Sequence, residues 1–434
     1  MTINLKNFLT DKPKLSKMGD FQELKQIEGL EISAVSADLY GTGRDDLCLF
    51  YFKEGANYGA VYTNNSICSE SITWNRKIRK SLIKALMVNT KNANTFTGSQ
   101  GQEALENISK HLSKVLTLRE SQKEGGTNQA IKPNEILFAS TGVIGEKYPT
   151  QQIKENVQFL VDKLKDNHNK FVWFKAASSI LTTDTRPKLA YEECKIGNKA
   201  IKLSGIAKGS GMIAPNMATM LAFVFTDADI PSVYLKSLLK KAVANTFNAI
   251  TVDSDTSTND MVAIFATNKV KTGKIYNVLD PKLKDFERAL QKLLLNLAKQ
   301  IVGDGEGAKK FINIKIINAK SQYMAKNIGF SIANSPLFKT AMAGEDPNWG
   351  RIIMGIGKSG EKIVPEKIEI KIGKFKVAEK GKISEEYNEE KLKEYMTSDL
   401  ITIEVNLKLG QASFDCYTCD FTKDYVDINA DYRS

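Results

Sequence analysis

One stretch constrains this chain more than any other: Lys208-Gly-Ser-Gly-Met-Ile-Ala-Pro-Asn-Met-Ala-Thr-Met-Leu-Ala-Phe-Val-Phe225. Gly209 and Gly211 open backbone conformations closed to other residues, and Pro215-Asn216 punctuates the approach. Met220 to Phe225 is then a short apolar run bounded by Asp227 and Pro231, as a buried strand requires. Thr219 stands where that strand begins. A hydroxyl there, behind a loose loop, fits a nucleophile presented to a cleft, and cutting Ala218-Thr219 would give it an α-amine of pKa near ~8 as its own base. A glycine-rich turn before an ordinary core strand has the same spacing, with Thr219 as a strand-favouring residue. No Gly-x-x-x-x-Gly-Lys-Ser/Thr pattern occurs, so a phosphate loop of that type is not indicated.

Around it the chain reads as mixed helix and strand. Strands are expected at Ala85 to Asn89, Glu135 to Ser140, Phe311 to Asn318, Ile368 to Val377, Ile401 to Leu409 and Ala412 to Tyr417, with β-meander material from Leu30 to Cys68. Helical spacing marks Ala104 to Val115, Ile153 to Leu164, the segment after Pro231, Asp280 to Ile301, the segment after Ser335-Pro336, and Glu385 to Met396. Arg119 to Asn134 is expected as a surface loop. The segment from Lys170 to Ile206 is expected as strands and turns, Phe247 to Asp260 as a strand and a polar turn, and Ala343 to Arg351 as a turn.

With 434 residues and 42% hydrophobic content the chain supports a substantial core. Subtracting 50 acidic from 61 basic residues gives +11, but the lysines do not gather into arms, which argues for a solvated surface and against a nucleic-acid partner. An anionic substrate is compatible. The N-terminus lacks a secretory pattern and no apolar run reaches the ~18 residues of a membrane span, so a cytoplasmic address without a membrane partner is expected. Cys48, Cys68, Cys194, Cys416 and Cys419 form no disulfide framework. Cys416 and Cys419 have half-zinc-site spacing, but three positions apart on a strand they face opposite sides. The Asp-rich Thr251 to Asp260 turn lacks the Gly and Glu of a calcium loop, so no metal is expected there.

Several long motifs, in order, place these readings in one family. Ser140-Thr-Gly-Val-Ile-Gly-Glu146, Thr182-Thr-Asp-Thr185, Lys208 to Leu221, Thr251-Val-Asp-Ser-Asp-Thr-Ser-Thr-Asn-Asp260, Gly344-Glu-Asp-Pro-Asn-Trp-Gly-Arg351 and Ile428-Asn-Ala-Asp-Tyr-Arg-Ser434 resemble the glutamate N-acetyltransferase (ornithine acetyltransferase) family of arginine biosynthesis. The resemblance implies an α/β fold of mixed β-sheets layered with helices, a self-cleaving enzyme of the N-terminal-nucleophile type. Residues 1–218 become an α chain and 219–434 a β chain starting at Thr219, associated as α2β2.

The implied reaction moves an acetyl group from N2-acetyl-L-ornithine to L-glutamate through an acetyl-Thr219 intermediate, without cofactor or metal. Acetyl-CoA as a second donor would make the enzyme bifunctional. By resemblance Thr141 and Gly142 form the oxyanion hole, and Thr182 (or its neighbour Thr183), Lys208, Glu306, Asn429 and Ser434 contact substrate. On chemistry alone, hydroxyls such as those of Thr182 to Thr185 can bind a carboxylate, but a capped turn is the default reading. Lys208 reads as a partner for a substrate carboxylate, as a like charge that depresses the pKa of the Thr219 amine, or as an ordinary solvated lysine. Three positions depart from the pattern: Thr90-Lys91 stands where the family usually has Ser-Gly, and Ser254 where it most often has glycine. A related self-cleaving aminopeptidase or amidase, with water as acceptor, shares the chemistry, and a non-catalytic binding protein is the reading from another class.

Overall fold

The computed structural model describes residues 22–123, 129–214 and 220–430. Two sheets organise them. The first has the order β4-β3-β2-β8-β7-β6-β5, with β1 (Leu30–Val35) paired to β2 (Leu47–Tyr62). Its other members are β3 (Leu82–Asn89), β4 (Ile136–Ser140), β5 (Lys188–Ile196), β6 (Lys199–Lys208), β7 (Leu221–Ala228) and β8 (Met261–Val270). Adjacent β7 and β8 run parallel, whereas β7 pairs antiparallel with β6 and β8 antiparallel with β2.

The period of two in β7 assigns its side chains to two cores. Ala222 and Val224 join Leu203, Val262 and the apolar stripes of helices Ser232–Ala244 and Lys284–Gly303 on one face. Phe223 and Phe225 join Phe50, Phe52, Phe265 and Trp173 on the other, with Phe225 ring centroids 4.7 Å from Phe50 and 5.5 Å from Phe265. A strand buried on both faces has no room for polar alternation, which is why its sequence is apolar without a break from Leu221 to Phe225.

The second sheet has the order β12-β11-β10-β13-β9-β14, comprising β9 (Phe311–Ala319), β10 (Glu369–Ile372), β11 (Phe375–Glu379), β12 (Lys382–Ile383), β13 (Leu400–Asn406) and β14 (Ala412–Cys419). Helices Gln322–Ala333, Pro336–Ala343 and Trp349–Gly357 cover it. Layered mixed sheets are the expected architecture. On β14, Cys416 packs in this second core and Cys419 in the first, on opposite sides as the strand period requires, and all five thiols are free.

Four local expectations are corrected. Ser99–Gln122 is helical through the start of the expected loop. Lys170–Ser179 is a helix, Trp349–Gly357 continues the expected turn as a helix, and 247–260 contains a short 3₁₀ turn and an isolated bridge from Ile250 to Tyr417 with no strand. Among the described residues no helix is long and apolar enough to cross a membrane, and no three His, Cys, Asp or Glu side chains could share a metal ion.

Candidate active site

The ends of β4 and β6 meet at a cavity of about 280 Å³, and the expected site residues that are described all line it: Thr141, Gly142, Thr182, Lys208, Glu306 and Asn429. Ala218 and Thr219, the expected cut and nucleophile, and Ser434 lie outside the described residues. Met220, which follows Thr219, donates its N–H to Asp260 Oδ1 at 2.8 Å. Burial raises the Asp260 carboxyl well above the ordinary range.

At the end of β4, the Thr141 N–H donates to the Asn89 carbonyl at 3.1 Å. Its backbone donor is therefore committed, and its hydroxyl is the group it presents to the cavity. Gly142 has φ +133°, and a Cβ there would lie 2.1 Å from the Lys91 carbonyl carbon, so only glycine fits. Asn259 Nδ2 clamps the segment through the Ser140 carbonyl at 2.8 Å and the Ala93 carbonyl at 2.6 Å.

Lys208, the last residue of β6, is 2% exposed, which corrects the reading of a solvated lysine. Its ammonium donates to Thr182 Oγ1 at 2.8 Å and to Thr141 Oγ1 at 3.4 Å, and lies 3.7 Å from Asp184. Burial lowers the Lys208 pKa, while the negative charge of Asp184 opposes that effect. Thr183 also lines the cavity, but its hydroxyl pairs with Ser210 Oγ at 2.8 Å. The bond to Lys208 distinguishes Thr182.

Asp184, fully buried, carries this corner. It accepts the Gly209 N–H at 2.6 Å, the Thr182 N–H at 3.2 Å and the Lys188 ammonium at 2.5 Å, and Lys188 also reaches Asp304 at 2.5 Å. Burial pushes the Asp184 carboxyl up, but Lys188 and Lys208 outweigh it and hold it far below the usual carboxylate range. In the sequence Asp184 stands inside the Thr182 to Thr185 cluster with no role of its own apparent. The available signal was a lone Asp among hydroxyls, four residues before a lysine.

Across the cavity, Asn429 Nδ2 donates to Glu306 Oε2 at 2.8 Å, and the Glu306 N–H is held by the Ser210 carbonyl at 3.0 Å. A Cβ on Gly211 would lie 2.2 Å from the Glu306 carboxylate, so that glycine keeps the loop clear of the acid. Asp253 fixes the same loop by accepting the Met212 and Ile213 N–H groups at 2.5 and 2.9 Å. The cavity thus presents a hydroxyl, an ammonium and a carboxylate, a set that matches a small molecule bearing both a carboxylate and an ammonium.

Residues 31–434 match the ArgJ family model. The chain belongs to the ArgJ family. It is 43% identical over 413 residues to the arginine biosynthesis bifunctional protein ArgJ of Gluconobacter oxydans strain 621H, covering 95% of this chain and 93% of that one. The ArgJ of Rhizobium meliloti strain 1021 is 41% identical over 418 residues, covering 95% and 97%. A crystal structure of ArgJ from Bacillus halodurans is 40% identical over 48% of this chain and 97% of that one, with a TM-score of 0.46. ArgJ membership agrees with the family that the motifs indicate.

Proposed function

We propose that this chain is an acetyltransferase of arginine biosynthesis that moves the acetyl group of N2-acetyl-L-ornithine to L-glutamate. The observation that carries the reading is the convergence of Thr141, Gly142, Thr182, Lys208, Glu306 and Asn429, distant in sequence, on one cavity. Lys208 takes the substrate carboxylate and Glu306, held by Asn429, takes the side-chain ammonium of ornithine. Thr219, freed by cleavage after Ala218, attacks the acetamide carbonyl through Oγ, and its α-amine takes the hydroxyl proton. The Thr141 hydroxyl and the Gly142 N–H stabilise the oxyanion, and the proton passes to ornithine's nitrogen as the C–N bond breaks. Glutamate's amine then attacks the acetyl-Thr219 ester, and the free hydroxyl is restored.

Ser434 completes the substrate site, acetyl-CoA serves as a second donor, and the two chains assemble as a cytoplasmic α2β2 enzyme. No metal or cofactor enters this scheme. Support comes from ArgJ membership over residues 31–434 and from relatives named as bifunctional arginine biosynthesis proteins.

Denaturing mass spectrometry of fresh protein, followed by incubation with acetylornithine, tests it. Two chains with a boundary at Ala218-Thr219, an acetyl adduct on the Thr219 chain and transfer of that acetyl group to glutamate are expected. An adduct that releases acetate to water and ignores glutamate would make the enzyme a hydrolase and overturn the reading.

A further inference from the structure

A second cavity, of about 600 Å³, shares no lining residue with the candidate active site. Its shape follows from a step in the first sheet. On one side β2 pairs with β8 from Asn57 to Tyr62; on the other, pairing with β3 stops at Asn57 and Leu82. Beyond that point no described strand covers the edge from Tyr58 to Tyr62, and a groove opens along it.

Two elements wall the groove. Helix Ser232–Ala244 packs so closely that a Cβ on Gly59 would lie 2.6 Å from Lys236 N, and Tyr58 N–H donates to Ser232 Oγ at 3.0 Å. That contact fixes the helix face bearing Lys236 and, one turn on, Lys240. The end of helix Glu70–Lys77 and the residues after it supply Arg76, Arg79 and Lys80.

Five cations thus line the groove, and among the described residues no carboxylate does. Their charge is not neutralised nearby: none of the five is in an ion pair with a described carboxylate, whereas Lys241, adjacent in sequence but turned away, pairs with Glu287. Arg76 is held by donating to the Thr63 carbonyl at 2.9 Å, which orients the guanidinium without cancelling its charge, and it lies 5.8 Å from the centroid of the Tyr62 ring. Like charges gathered without counter-ions repel one another, so a fold that holds them around a concave space favours a multiply charged anion.

We propose that this groove binds a small molecule carrying two or more phosphate groups. Arginine forks and lysine ammoniums match phosphate oxygens, and five positive charges exceed what a lone carboxylate or monophosphate would call for. The Tyr58 and Tyr62 rings beside them offer an apolar platform for a planar base, as in a nucleoside diphosphate. The volume is that of a small-ligand site, and the cations surround it from two walls where a nucleic-acid surface would string them along a strip.

Calorimetric titration of the full purified protein with ADP, pyrophosphate, adenosine and a short single-stranded oligonucleotide is the test. ADP and pyrophosphate are expected to bind and adenosine to fail, with affinity falling as salt is raised. Tighter binding of ADP than of pyrophosphate identifies a nucleotide ligand, and equal binding a free polyphosphate. The double charge reversal R79E/K236E is expected to weaken ADP binding roughly tenfold or more, with Tm and acetyl transfer unchanged. Absence of ADP and pyrophosphate binding, ADP affinity unaltered by the reversal in a folded protein, or an oligonucleotide that displaces ADP would each overturn the proposal.

Discussion

Asp184 does not line the candidate active site, yet it holds Gly209, Thr182 and Lys208 in place around it. Asp184, Lys188, Glu306 and Asp260 are the charged groups acting on Lys208, and burial pulls its pKa down against Asp184. In Asp184→Asn burial is less opposed, so the ammonium is lost at a lower pH. We expect kcat/KM at pH 8 to fall roughly tenfold or more, mainly through KM, with recovery as pH is lowered. A uniform loss with an unchanged pH profile would show that Asp184 only supports the fold.

Thr141→Ala, which removes the hydroxyl but keeps the N–H bonded to Asn89, is expected to cost ~10² to ~10³ in kcat with normal folding. Single-turnover rates check it, and a parental rate would remove Thr141 from the oxyanion hole. The expected residues that line the cavity were legible because motif and chemistry coincide there. Asp184 and Asn259 were not, since their roles are bonds to backbone groups brought close only by the fold. Lys91 and Ser254, the two departures from family glycine, adopt φ of +71° and +70°. Each keeps the left-handed conformation that makes glycine the usual residue there.

Among elements, helix Lys170–Ser179 shows where sequence periodicity runs out. It buries Trp173, Phe174, Ala176 and Ala177, and its aromatic and β-branched start has no polar face to set a 3.6-residue period. The long helix Lys284–Gly303 was legible because one side is solvated. The strand β8 was missed because its apolar run continues directly from the polar turn before it.

The Lys170–Ser179 helix also brings Trp173 against His168, ring centroids 5.6 Å apart. Burial pushes the His168 imidazole down to about 4 from an ordinary 6.5, against the opposing charges of Asp166 and Glu31. Between those values the unfolded chain binds a proton that the folded one refuses, so stability is lost as pH falls from 6.5 toward 4. The loss from this group is up to about 3 kcal/mol. His168→Gln, in the uncleaved Thr219→Ala chain, is expected to flatten that slope in denaturant titrations at pH 6.5 and 4.5. A slope equal to the parent's would count against the assignment.

At the scale of the molecule, the strands that follow residue 219 sit in the middle of the first sheet. β7 and β8 lie between β2 on one side and β6 on the other, and one core joins Leu203 and Ala207 to Val224 and Val262. After the proposed cut the two chains are expected to co-elute in native size exclusion and to unfold in one transition, separating only in denaturant. Resolution of two independent transitions would contradict a shared core. That sheet order was beyond the sequence, as was the basic groove: cations at 76, 79, 80, 236 and 240 look dispersed until two distant helices face each other.

The central position of β7 and β8 also sets an order of events. In an uncut chain β6 and β7 belong to one molecule; after the proposed cut the same ladder would have to be rebuilt by two polypeptides whose meeting depends on their concentration. The proposed cut would therefore discard a tether that assembly of the sheet relied on. A cut enzyme would be a state the chain could keep but, at cellular dilution, would reach only by way of its uncut ancestor.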